Sequence, residues 1–379
     1  MTISPQREFL FKLTIVTFFT FVFVLIAGTL IYTGVIRFNW SDQIMARWAY
    51  DEGKAKDKRI LILGDSQLTW WNLDHCLFED IRQFCKVHDV GYVNAAKGGN
   101  GPIEYLDRLQ AIGPDYQPNL VILFYYAGND LTDVMYRSNQ RPKEPGLNWI
   151  KQLDFKDEDF AKAREVDAFS TNRPNLENDQ KQEILRGYDF DWEEFVRKGI
   201  DSTMITYAKN RLYYPGKIGA EYVNPHILVM GSWKPNYLYD NNQMDSPESE
   251  AAWNVVEDKL DAIKAVTSEI GAELRLVCIP ATVQVDSSHF DFYRKLTFRV
   301  GEDLIFARTP QDRLAKWADH KKIPFIDLLP NFQAYENTAA LYFENDDHLS
   351  SQGHQEAFIR VKQEILEKFI GKVDWGYYL

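Results

Sequence analysis

Three short, largely apolar runs constrain this chain most, because each stops at a loop of small or polar residues. Ile60–Leu63 ends at Gly64-Asp65-Ser66. Gly91–Ala95 ends at Ala96-Lys97-Gly98-Gly99-Asn100-Gly101-Pro102, and Asn119–Tyr126 ends at Ala127-Gly128-Asn129-Asp130. An apolar run without polar alternation is the pattern of a strand covered on both faces, as in the middle of a parallel sheet. Helical patterns over about 76–87 and 103–112 separate the runs, which makes them βαβ units. A fourth strand is expected over Glu273–Pro280 and a fifth over Ile323–Leu328, with helices over 247–270, 309–321 and 351–370. The fold class is therefore α/β: a three-layer α/β/α, flavodoxin-like arrangement with a central parallel sheet of about five strands.

The chain is long enough, at 379 residues with 45% hydrophobic and 14% aromatic side chains, to bury a sizeable core. A net charge of -12 and the lack of a basic cluster exclude a nucleic-acid partner, since phosphate binding needs a positive face. Residues 13–36 carry no formal charge and are long enough to cross a bilayer, which takes about 20 residues. The stretch exceeds the apolar core of a cleavable signal, roughly 7 to 15 residues, and no A-x-A site follows it. An N-terminal transmembrane helix is thus expected in an anchor segment 1–37, followed by a charged juxtamembrane stalk 38–58 and a domain 59–379. Lys and Arg flank the anchor on both sides, so the positive-inside count does not orient it.

From 131 to 246 the α/β rhythm is broken by a large insertion that no simple βα connection requires. Its aromatics, among them Trp192, Phe195, Tyr237 and Tyr239, either pack a core of the insertion's own or form a lid that stacks on sugar rings or lines an acyl pocket. Three cysteines are present. Cys76 and Cys85 can pair only if the helix between them is broken, and Cys278 reads as a buried small hydrophobe. No Cys/His spacing matches a metal site, and no metal or organic cofactor is implied.

The loops after the strands carry a coherent chemistry. A serine hydroxyl is a weak nucleophile near neutral pH and needs an imidazole to take its proton. Ser66 is the candidate nucleophile and His348, in the late loop FENDDHLSS, the candidate base. Asp346 is the chosen carboxylate to orient the imidazole, with Asp347 as the alternative acid. The amide of Ser66, the backbone N–H of Gly99 and the side chain of Asn129 form the expected oxyanion hole, each donor contributing about 3 kcal/mol in comparable enzymes. Asp65 is expected to shape the turn and Asp130 to cap or orient the loop behind Asn129. His354 is expected to pack or cap, and His75, His88, His226, His289 and His320 to lie at the surface.

Gly64-Asp65-Ser66, Asn94-Ala95-Ala96-Lys97-Gly98-Gly99-Asn100, Ala127-Gly128-Asn129-Asp130 and Asp346-Asp347-His348 with Gly353-His354 resemble, in order, the four blocks of the SGNH or GDSL-like hydrolases. The wording NAAKGGNGP, LVILFYYAGND and YFENDDHLSSQGH is similar to bacterial membrane-anchored members of that superfamily. The resemblance covers about 59–130 and 250–370. It implies a serine esterase acting on carboxylic esters, O-acetyl esters of an exported cell-envelope polysaccharide in particular. It also implies an inner or plasma membrane location, with the catalytic domain on the periplasmic or extracellular side. An O-acyltransferase passing the acyl group to a glycan hydroxyl is the alternative, and a catalytically silent glycan-binding or scaffold module is a further one. The family commonly carries Asp three residues before the histidine, where this chain has Asn345.

Overall fold

The computed structural model describes residues 50–69, 73–137, 191–214 and 217–371. The stretch 13–36 expected to cross a membrane lies outside them, and among the described residues no helix is long and apolar enough to do so.

The sheet has five parallel strands: β1 (Arg59–Leu63), β2 (Gly91–Asn94), β3 (Leu120–Tyr126), β4 (Glu273–Ile279) and β5 (Phe325–Asp327). Their order across the sheet is β2-β1-β3-β4-β5. The chain moves outward from β1 to β2 and then crosses back to β3, which places the topological switch between β1 and β3. Ligands of doubly wound sheets bind beyond the carboxyl ends of the strands at that point.

Strand residues feed two cores by alternation. Leu61 and Leu63 of β1 and Val121, Leu123 and Tyr125 of β3 face one layer, where they meet α2 (Pro102–Tyr116) and α7 (Pro247–Glu269) through Leu109, Ile112, Val256 and Leu260. Ile60, Ile62, Ile122 and Phe124 face the other, packing on α1 (Leu77–Val87) and α9 (Ser351–Val361) through Leu77, Ile81, Ala357 and Val361. Every residue of β3 is buried. That two-sided burial is why the strands read as continuous apolar runs.

Within the segment expected as a stalk, Tyr50 and Gly53 are buried against the domain, while most of 51–58 stays exposed. Tyr50 is buried and donates to Asp115 Oδ2 at 2.8 Å. A Cβ on Gly91 would fall 2.1 Å from the Gly53 carbonyl oxygen, so the two backbones approach as only glycines allow.

The described part of the insertion is helical: α3 (Asp130–Arg137), α4 (Ser202–Tyr213), α5 (Pro225–Trp233) and α6 (Tyr237–Asn242). Its apolar residues Leu131, Ile205, Ala208, Leu228 and Leu238 join the α2/α7 core instead of forming a separate one. Phe195 and Tyr239 are buried in that core, whereas Trp233 stays 63% exposed. After β4 the chain runs through α8 (Thr309–Lys321) to β5 and on to the loop before α9. Cys76, Cys85 and Cys278 are buried and form no disulfide with one another. His289, expected at the surface, is buried against Tyr342, because the segment after β4 folds under the loop that carries His348.

Candidate active site

The Ser66 turn is built by its neighbours. Asp65 Oδ1 accepts from the Gln67 amide at 3.0 Å, which closes a single 3-10 turn over Ser66–Leu68. A Cβ on Gly64 would lie 2.4 Å from the terminal methyl Cδ1 of buried Leu68, which would have to move to admit a side chain there. The loop after β2 folds onto this turn: the Lys97 amide donates to the Gly64 carbonyl at 3.2 Å and Asn94 Nδ2 to the Leu68 carbonyl at 2.9 Å. Gly99 adopts φ +70°, the left-handed region that favours glycine. A Cβ on Gly98 would sit 3.6 Å from Ser66 Cβ, which puts the glycine turn directly over the serine.

Asn129 follows β3. Its side chain lies beside the Asp65 carboxylate and lowers it against the effect of burial, while its carboxamide oxygen is buried without a partner. Behind it, Asp130 accepts from the Tyr126 amide at 3.0 Å and from Tyr105 Oη at 2.8 Å. Thr132 Oγ1 donates to the Asn129 carbonyl at 2.9 Å, and Asn241 of the insertion receives the Thr132 amide at 3.2 Å. The insertion thus braces the Asn129 loop.

His348 arrives from a loop almost three hundred residues further on. Its Nε2 lies 2.8 Å from Ser66 Oγ, and its Nδ1 hydrogen-bonds Asp346 Oδ1. Asp346 Oδ1 also accepts from the His348 amide at 3.1 Å, which fixes the carboxylate in the plane of its own loop. Asp347 Oδ1 stands 3.3 Å from the same Nδ1. Asn345 turns the other way and donates to the carbonyl of Ala220 in the insertion. Asn345 is therefore a tether to the insertion and takes no part in orienting the imidazole.

Two residues that the pattern of the chain did not single out hold this loop. Gln67, fully buried, donates through Nε2 to the Asp347 carbonyl at 2.9 Å and accepts from the Leu349 amide at 3.0 Å. Tyr126 Oη donates to the same Asp347 carbonyl at 2.7 Å. Together they grip the backbone on both sides of His348.

The electrostatics separate the roles of the two acids. Burial alone would raise the Asp346 carboxyl, but the adjacent imidazole outweighs it and holds Asp346 down at about 2. Asp347 is pushed up to about 7 by burial, with the Asp346 charge adding to the effect against the opposing imidazole. Burial opposes the charged form of His348, yet the two carboxylates raise it to about 9. His354, in the first turn of α9, is fully buried, and burial drives it down to about 3. The ligand atoms of Asp346, Asp347 and His348 lie within 4.8 Å of one another, the one such cluster among the described residues, but Nδ1 is already engaged by Asp346.

No family model and no curated protein matches the chain. Among solved structures, a provisionally named acylhydrolase from Bacteroides fragilis is similar at 12% identity and TM-score 0.40, over 86% of this chain and 95% of that one. A lipase/acylhydrolase from Enterococcus faecalis is similar at 12% identity and TM-score 0.34, over 81% and 96%. A GDSL-like lipase from Bacteroides thetaiotaomicron is similar at 11% identity and TM-score 0.37, over 86% and 99%.

Proposed function

We propose that this chain is a serine ester hydrolase, with Ser66 as nucleophile, His348 as general base and acid, and Asp346 as the carboxylate that orients the imidazole. The observation that carries this reading is the 2.8 Å contact between Ser66 Oγ and His348 Nε2, with Asp346 on the opposite ring nitrogen. Ser66 Oγ attacks the ester carbonyl carbon while its proton passes to Nε2. The oxyanion is received by the backbone amides of Ser66 and Gly99 and the side-chain amide of Asn129. The carbon–oxygen bond to the alcohol then breaks as Nε2 returns the proton to the leaving oxygen. Water attacks the acyl-enzyme by the reverse proton path and releases the acid.

The substrate in this reading is an O-acetyl ester of an exported cell-envelope polysaccharide, and the domain is held at the membrane by residues 13–36, facing the periplasmic or extracellular side. The uncharged length of that stretch supports the anchor. The first half-reaction is shared with an O-acyltransferase, so the test offers an acetyl donor with and without an oligosaccharide acceptor. Free acetate formed in both cases supports the hydrolase. Acetylated sugar without acetate makes the chain a transferase, and neither product makes it a binding module.

A further inference from the structure

Next to the site lies a small cavity of about 30 Å³. Two of its lining residues are Gly128, which immediately precedes Asn129, and Asp347, which immediately precedes His348. Consecutive Cα atoms are about 3.8 Å apart, so the cavity begins one residue from the candidate oxyanion donor and one from the candidate base. The opposite wall comes from the insertion: Ile227 and Met230, three apart on one face of α5, and Leu238 of α6. Tyr293 and Val283, from the segment after β4, complete it.

The geometry points to a pocket for the acyl group of the ester, walled by the inserted helices and sized for a short chain. This inference rests on the hydrolase reading and adds what sets its substrate range. A sugar ring and its hydroxyls fit neither the volume nor the apolar lining, whereas the tail of a small acyl group fits both. About 10–15 Å³ of such volume admits one water-sized atom group, so the cavity takes roughly two or three, the tail of an acyl chain of about two to four carbons. Asp347 is the one ionisable acid or base among the lining residues apart from the tyrosines, and it sits at the end of the pocket next to the His348 imidazole. Each methylene that enters should raise kcat/KM about fourfold until the pocket is full. Beyond that point the interior has no slack, because Val283 is fully buried and Tyr293 nearly so.

The test is a series of p-nitrophenyl esters, from acetate through butyrate and hexanoate to octanoate, hydrolysed by the full chain. The expected profile peaks at about two to four carbons and falls at least about tenfold at octanoate. Met230→Ala and, independently, Ile227→Ala should each raise the octanoate-to-acetate ratio. A flat profile, or an unchanged ratio in both variants while Ser66→Ala still abolishes cleavage, overturns the pocket and leaves the hydrolase standing. Cleavage that survives Ser66→Ala overturns the hydrolase reading and the pocket with it.

Discussion

Gln67, the residue after Ser66, accepts a hydrogen bond at 3.0 Å from the amide of Leu349, the residue after His348. The same side chain donates to the Asp347 carbonyl on the other side of the imidazole. One buried carboxamide therefore sets the register between the nucleophile's turn and the base's loop, which 282 residues of chain separate.

Replacing Gln67 by Leu keeps the volume and removes both bonds. Two buried main-chain groups then each lose a hydrogen bond, at about 1–3 kcal/mol for a group left unpaired before relaxation. Tyr126 still satisfies the Asp347 carbonyl, so the lower half of the summed range is expected in urea unfolding. A displacement of about 1 Å at the reacting atoms costs on the order of a hundredfold, so kcat should fall far more than KM rises. A loss of stability with kcat intact would mean that Gln67 only packs.

The two acids should differ sharply under substitution. Asp346→Asn removes the carboxylate that fixes the tautomer of His348 and should lower kcat by roughly 10³–10⁴-fold, by analogy with the serine-protease triad. Asp347→Asn keeps Asp346 in place and should cost less than about tenfold. Equal losses, or the reverse ranking, would make Asp347 the orienting acid.

The pH profile follows from the same pair. His348 must be neutral to take the Ser66 proton, and its folded value is raised to about 9. On an uncharged ester, kcat/KM should therefore climb with pH through that value and level off above it. Above about 7 Asp347 is itself ionised and helps hold the imidazole proton. Asp347→Asn removes that charge, so the ascending limb should move to lower pH. A limb that stays in place would mean that Asp346 alone raises the imidazole.

Much of the architecture was readable from residues because the physics that fixes it is local. β1, β3 and β4 are buried on both faces and so show as aliphatic runs, and the Ser66, Gly99 and Asn129 loops follow strand ends directly. What stayed hidden depends on contacts between distant segments. A Gln after Ser66 looks like any turn residue until its partners at Asp347 and Leu349 are known. The outward turn of Asn345 to Ala220 and the burial of His289 follow from how the insertion and the segment after β4 pack, which no periodicity encodes. Likewise, the charged stretch 51–58 reads as a solvated stalk by composition, and most of it is exposed, yet Gly53 within it and Tyr50 just before it dock on Gly91, Asp115 and Tyr116.

The central claim is that Ser66 becomes a nucleophile because His348 lies within reach of its proton. The most direct measurement is the intact mass of the full chain after treatment with a fluorophosphonate, beside Ser66→Ala and His348→Ala. A single adduct mapped to Ser66, absent from Ser66→Ala and strongly slowed in His348→Ala, is the predicted result. No adduct on the wild-type chain, or equal labelling of Ser66→Ala, would contradict it.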